Sequence, residues 1–187
     1  AMLIEVQKAY EEDRHQIYEH AQDLLRVHKE QAAKAKAGPE ITATLVDRAA
    51  RDLAGAYDPT NGGFGEDPKF PNPPVLAFLT HLTRTSQDDF YRAMFTKTVD
   101  SMAGSSAFDS EEGGFFRHCA NADWSGAQWE KLREDNLNLT RVYLDAWLLL
   151  DNDAYRQVAN GCIDFVVETL FDPEIPAFRG SQGAHSD

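Results

Sequence analysis

The sequence predicts an all-α fold of stacked helical hairpins, on three observations. Apolar residues recur at helical spacing along most of the 187 residues. No run shows the strict apolar–polar alternation of a half-buried strand. A Gly-Gly-Phe turn at Gly62-Gly63-Phe64 recurs 51 residues later as Gly113-Gly114-Phe115, and a weaker echo in Ala177-Phe178-Arg179-Gly180 places Phe178 another 63 residues on. Two helices fit between successive echoes. A period of roughly 50–60 residues with two helices per unit describes either a solenoid or a closed α/α toroid. In both, the long loops gather on one face, where function usually resides.

The elements follow in order. Residues 1–37 read as a long charged N-terminal helix and 38–187 as three α-hairpins. The first helix spans 3–35, with a narrow apolar stripe at Ile17, Ala21, Leu24, Leu25 and His28 that suits a helix lying on another body. Ala1 ahead of Met2 reads as a tag remnant. Gly38-Pro39 stops the helix. A second helix is expected over 42–57, apolar at Leu45, Val46, Ala49, Leu53 and Tyr57. A loop dense in glycine and proline, Asp58 to Asn72, leads into a third helix over 74–84, entered through Pro73-Pro74 and presenting Leu76, Leu79 and Leu82. Asp88 or Asp89 caps a fourth, with Phe90, Met94, Phe95, Val99 and Met102 inward. After the second Gly-rich loop, a fifth helix runs from beyond Trp129 to about Leu150, its Ala146-to-Leu150 stretch read as a buried side. The sixth covers roughly 154–171.

Composition bounds the function. Eighteen Lys and Arg against 31 Asp and Glu give a formal charge of −13, which repels nucleic-acid phosphates and anionic membrane surfaces. No uncharged apolar run approaches the roughly 18 residues of a membrane span. Cys119 and Cys162, 43 residues apart, fit no metal or redox spacing and suit a reducing, cytoplasmic compartment. His15, His20 and His28 lack the i, i+4 spacing of a helical metal site, so no metal is expected.

Three motifs then become specific. Gly62-Gly63-Phe64-Gly65-Glu66-Asp67-Pro68-Lys69-Phe70-Pro71 resembles a G-G-F-G-x-x-P-K-F-P signature. Gly113-Gly114-Phe115-Phe116-Arg117-His118, Asp123-Trp124, Trp129-Glu130-Lys131-Leu132 and Asp135-Asn136 resemble G-G-F-x-R-Y, D-x-x-W and P-H-F-E-K-M-L-Y-D-N. Phe178-x-Gly180-Ser181-Gln182 with Ala184-His185-Ser186-Asp187 is similar to F-x-S-x-D-A-D-S. These are motifs of a family of the spermatogenesis-associated thioredoxin-domain type. It joins a thioredoxin-like domain to an α/α toroid like that of N-acylglucosamine 2-epimerase and the six-hairpin glycosidases. The resemblance covers about residues 3–187 and implies part of an (α/α)6 toroid, some three of six hairpins, without the thioredoxin-like domain. Ala127-Gln128 stands where the family has Pro-His, Glu134 where it has Tyr, and His118 where it has an aromatic.

Sugar chemistry at a toroid mouth uses paired acids and aromatic platforms. By the resemblance, Glu130 and Asp135 are the candidate catalytic residues, and Asp67, Lys69, Arg117, His118, Trp124 and Trp129 the candidate substrate contacts. Each has a plainer reading: a solvated acid for Glu130; pairing with Arg133, Lys131 or an amide for Asp135; loop ion pairs with Asp67 or Glu112 for Lys69 and Arg117; a packed ring for His118. Neither Gly-rich loop joins a strand to a helix, so neither cradles phosphate, and no cofactor is implied. Two functions stand: a carbohydrate-binding or carbohydrate-processing module, with a carbohydrate ligand, and a non-catalytic interaction scaffold. With the Pro-His replaced and half of a toroid present, no epimerase or glycosidase turnover is expected of this chain alone. An open toroid edge, with Trp147, Phe165 and Leu170 or Leu45 and Leu53 exposed, predicts a homodimer or contact with the remainder of a toroid.

Overall fold

The computed structural model describes residues 7, 10, 11, 13–34 and 42–183. The readings at 3–6, 8, 9, 12, 35–41 and 184–187 lie outside these. The chain divides into two compact units, Ala1–Leu45 and Val46–Asp187.

In the first unit, helix α1 (Arg14–Lys34) is exposed along 14–33. Its bonds are surface ion pairs one turn apart, Arg26 to Asp23 (3.1 Å) and to Glu30 (3.3 Å), each worth only a few tenths of a kcal/mol, about 0.3–0.5. Such pairs favour helix without supplying a core.

The second unit opens with most of α2 (Ala43–Gly55). Pro73 and Pro74 start α3 (Pro73–Thr85), whose Leu76, Leu79 and Leu82 are buried as expected. Asp88 accepts the Phe90 amide (2.9 Å) and caps α4 (Asp89–Ala103). Met94, Phe95, Val99 and Met102 point inward, whereas Phe90 lies outside, edge-on to Tyr57. Helix α5 (Arg133–Leu150) begins later than expected. The residues before it form strand β1 (Lys131–Leu132), which pairs antiparallel with β4 (Ser181–Gln182). The Ala146-to-Leu150 stretch is not a buried side: Ala146 is inside, Leu148 is out, and the rest are half-buried. Asp151 in a left-handed turn ends α5, and Asn152 caps α6 (Asp153–Asp164).

A π-helical turn, Phe165–Thr169, follows α6 directly. Its extra residue per turn shifts the register, so Phe165, Val166 and Leu170 go inward and Val167 faces solvent. The expectation that Phe165 and Leu170 would be exposed is thereby overturned. The exposed apolar residues there are Ile163, Val167, Phe171, Ile175 and Phe178. Strands β2 (Phe171–Asp172) and β3 (Ala177–Phe178) form the last turn.

The layout is helical, with two-residue strands only at loop edges. Short connections at 86–88 and 151–152 close one end; the long loops 56–72 and 104–132 occupy the other. The loops are bonded together there: Lys69 and Cys119 exchange both backbone bonds (2.8 and 2.9 Å), and Trp124 Nε1 donates to the Asn61 carbonyl (3.0 Å). The two Gly-Gly-Phe turns therefore share a face.

Candidate functional site

Both long loops are built around the same polar lock. In the first, Asp58 Oδ1 accepts the amides of Thr60 and Asn61 (2.9 and 3.0 Å), and Oδ2 accepts Lys69 Nζ at 2.7 Å. Lys69 also donates to the Gly65 carbonyl (3.0 Å) and lies 5.8 Å from the Trp124 ring centre. In the second, Asp109 Oδ1 accepts Glu111 and Glu112 amides (2.9 and 3.1 Å), and Oδ2 accepts Lys131 Nζ at 2.7 Å. Lys131 also bonds the Gly113 carbonyl (3.0 Å) and sits over Phe116 and Phe165. Burial alone would raise the Asp58 and Asp109 carboxyls. The lysine bond and the turn amides outweigh it and hold both below the usual carboxylate range. The glycines are required: Gly113 has φ +76°, and a Cβ there would collide with the Gly161 carbonyl. Asn136 completes the second loop, its Oδ1 accepting the Phe115 amide (2.6 Å) and its Nδ2 donating to the Phe115 and Leu132 carbonyls (3.0 and 2.9 Å).

This arrangement redistributes the candidates. Lys69 and Trp124 are 0% and 1% exposed, so both belong to the fold and neither reaches a ligand as expected; the partner of Lys69 is Asp58 and not Asp67. Asp67 is exposed. His118 stacks on Phe70 (ring centres 5.0 Å), the packed-ring reading, and its Nδ1 is buried without a hydrogen-bond partner among the described residues.

The structure brings the others together. Arg117 pairs with Glu130 (2.6 Å), and its amide donates to the Glu130 carbonyl (2.7 Å); Glu112 instead bonds Lys131 (3.3 Å). Asp135, half-buried in the first turn of α5, has its carboxyl raised by burial, then by neighbouring Glu134. Arg117 pulls it back and Glu130 pushes it further up. Lys131 is committed to Asp109, so it is not the partner of Asp135. Trp129 is 71% exposed with Phe116 edge-on at 5.7 Å.

Two concavities adjoin these groups. One of about 670 Å³ is lined by Phe116, Trp129, Lys131, Asp109, Glu112 and Gln182. The other, about 420 Å³, runs between α3 and α5 past His81, Arg84, Asn138, Arg141 and Asp145, with Arg84 paired to Asp145 at 2.7 Å. Asn138, Val142 and Asp145 follow Asp135 at +3, +7 and +10. That spacing puts Asp135 on the face of α5 that also carries the groove residues Asn138, Val142 and Asp145. Among the described residues, no group of three His, Cys, Asp or Glu side chains is placed to hold a metal ion, and no helix is long and apolar enough to cross a membrane.

Sequence reasoning missed Asp58, Asp109, Lys131 and Asn136. A signal was present: an Asp stands six residues before the Phe in all three echoes, at Asp58, Asp109 and Asp172.

No protein-family model matches the chain. It is 28% identical to human spermatogenesis-associated protein 20 over 176 residues, 90% of this chain and 22% of that protein. It is 34% identical to the mouse protein of the same name over 136 residues, 71% of this chain and 17% of that one. The chain thus spans about a fifth of the length of these relatives. Among solved structures, cellobiose 2-epimerase from Bacillus thermoamylovorans superposes with a TM-score of 0.63 at 13% identity, over 76% of this chain and 42% of that one. A GH76 α-mannanase from Bacteroides thetaiotaomicron does so with 0.59 at 15% identity, over 74% and 42%. At such identities the likeness establishes the fold, a partial α/α toroid. The chain is a homologue of spermatogenesis-associated protein 20 folded as part of an epimerase-type α/α toroid.

Proposed function

We propose that the loop face binds a carbohydrate, with Trp129 as the stacking platform and Glu130 and Asp135 as the acid pair. The observation that carries this reading is the convergence of Arg117, Glu130 and Asp135 at the start of α5. Glu130 is held against Arg117, while Asp135 is pushed up by burial and by its acidic neighbours. A carboxyl whose proton affinity is raised by burial and by neighbouring acids suits the acid role of glycoside chemistry. The resemblance to a cellobiose epimerase and a mannanase in fold points to the same ligand class. Ala127 and Gln128 supply no proton-transfer group where the family pattern has Pro-His, so binding without turnover is the expected behaviour of this chain. Its two free, buried cysteines suit a reducing compartment, the cytoplasm.

The test is a tryptophan-fluorescence titration with cellobiose and mannobiose, together with a turnover screen. Saturable quenching, lost in Trp129→Ala and weakened in Asp135→Asn, is expected. A flat titration with both sugars would overturn the reading, and so would turnover abolished by Glu130→Gln in its binding-only form. The scaffold reading rests on a different feature, the exposed apolar last turn of Val167, Phe171, Ile175 and Phe178.

A further inference from the structure

Three short extended segments of the long loops lie side by side, with Cys119 in the middle. Lys69 and Cys119 exchange both backbone bonds on one side. On the other, Cys119 bridges to Ala127, flanked by bonds from the Ala120 amide to the Gly126 carbonyl and from the Gln128 amide to the His118 carbonyl (both 3.0 Å). Both pairings are antiparallel, so the residue before Cys119 stands opposite the residues after Lys69 and after Ala127. Phe70, His118 and Gln128 therefore form one row across the three segments. Successive residues of an extended chain point to opposite faces. Lys69 and Cys119 are buried, so the row of His118 faces outward, with Phe70 and Gln128 both exposed.

Beyond this row the register slips. The Arg117 amide bonds the Glu130 carbonyl, which leaves Trp129 as the extra residue of a β-bulge. His118 is thus next in sequence to Arg117 and across the segment pair from Gln128, the neighbour of Trp129. Its ring is pinned on one face by Phe70, the two planes 21° apart. Its Nδ1 is the one buried side-chain polar atom without a hydrogen-bond partner among the described residues. A buried N–H left unpaired is rarer than a buried acceptor left unpaired. That puts the ring proton on Nε2, the nitrogen on the half-exposed side of the ring.

We infer that His118 is the carbohydrate-binding imidazole of the loop face, its Nε2–H donating to a sugar hydroxyl beside the Trp129 platform. This rests on the carbohydrate reading above and adds a specificity residue to it. The packed ring and the ligand contact are then two sides of one imidazole: the stack on Phe70 fixes the ring before the ligand arrives, which lowers the ordering cost of binding. The sequence carries a matching exchange. The motif it resembles has an aromatic at 118 and a histidine at 128, and this chain has His118 and Gln128. Residues directly opposite on antiparallel strands have Cβ atoms about 4.5–5.5 Å apart on the same face. An imidazole at either position therefore serves the same place on the surface.

The test adds His118→Phe and the exchange variant His118→Phe/Gln128→His to the tryptophan-fluorescence titrations with cellobiose and mannobiose. Phenylalanine keeps the stack on Phe70 and removes the donor, so circular dichroism melts of both variants should match the unaltered chain. Affinity should fall about fivefold to tenfold in His118→Phe, the size of one neutral hydrogen bond. Most of it should return in the exchange variant, which a ring that only packs would not bring about. In 1H–15N spectra of the histidine rings, the His118 signals, assigned by their loss in His118→Phe, should shift when the quenching sugar is added. Unchanged affinity in His118→Phe, a loss that the exchange variant leaves in place, or His118 signals indifferent to the sugar overturns the inference, while Trp129→Ala still reports separately on the carbohydrate reading. A flat titration of the unaltered chain with both sugars overturns the two together.

Discussion

Asp58→Asn isolates the energetics of the lock. The amide oxygen of asparagine still accepts the Thr60 and Asn61 amides, so the turn geometry survives. What is lost is the charge 2.7 Å from Lys69 Nζ, on a lysine that is fully buried and left with the Gly65 carbonyl and the Trp124 ring. Breaking a buried pair from one side costs about 3–5 kcal/mol; because Asp58 keeps 16% of its side chain exposed, the lower end, about 3 kcal/mol, is expected. For a domain of this size that lowers Tm by roughly 6–12 °C. The assay is a circular dichroism melt at 222 nm and pH 7, extended to Lys69→Met and the double variant. The double variant should recover much of the loss, since an apolar replacement removes the stranded charge along with its partner. The pH dependence has a defined sign. The folded Asp58 and Asp109 carboxyls lie below their unfolded values, so their stabilisation is complete above about pH 4 and is lost as pH falls through the depressed range. An Asp58→Asn loss below about 1 kcal/mol, or additive single-variant losses, would refute the reasoning.

Asp135 has the opposite sign: its folded carboxyl is raised, so its cost is absent below about pH 4 and complete above the raised value, and Asp135→Asn should raise Tm at pH 7 but not at pH 3.5 in matched melts. Gly113→Ala meets both a positive φ and the Gly161 carbonyl and should cost more than about 2 kcal/mol by urea denaturation, whereas Gly65→Ala, at φ +77° in open space, should cost about 1 kcal/mol. Burial pushes the Cys162 thiol up to about 12, with Thr140 and Lys131 pulling back, so maleimide at pH 8 should leave it unlabelled until guanidinium is added.

Much of this was legible because helical periodicity is a local signal. Leu76, Leu79 and Leu82 announce a buried face, and Asp88 announces a cap, whatever packs against them. The errors arose where a partner distant in sequence decides. Trp124 reads as a platform until the Asn61 carbonyl, 63 residues earlier, takes its indole nitrogen. Lys69 reads as a ligand group because it follows a Gly-rich turn, and its ion pair reads as one with Asp67, its neighbour in sequence, while Asp58 across the turn is its neighbour in space. Phe165 and Leu170 read as the open edge of an incomplete toroid, but the π turn carries both inward. Arg117, Glu130 and Asp135 were identified from motif order and converge in the structure, because β1 and the Arg117–Glu130 backbone bond draw the loop onto the start of α5.

The placement of the lysines has a practical consequence for dissecting the chain. Each of the two lysines arrives on the segment that introduces the following helix, so the first two turns are sealed from further along the chain: Asp109 by Lys131, and the Lys69 ammonium by the Trp124 ring. No cut between hairpins is neutral. A boundary drawn between α4 and Asp109 takes the Trp124 ring from Lys69, and one drawn between Asp109 and Lys131 strands the Asp109 carboxylate. Stacked repeats that share only apolar surface can be shortened one unit at a time and retain the stability of the rest. Here a shortened piece loses either the ring that covers a buried lysine or the partner of a carboxylate, as well as an apolar face, so the hairpins are separable as drawings but not as polypeptides.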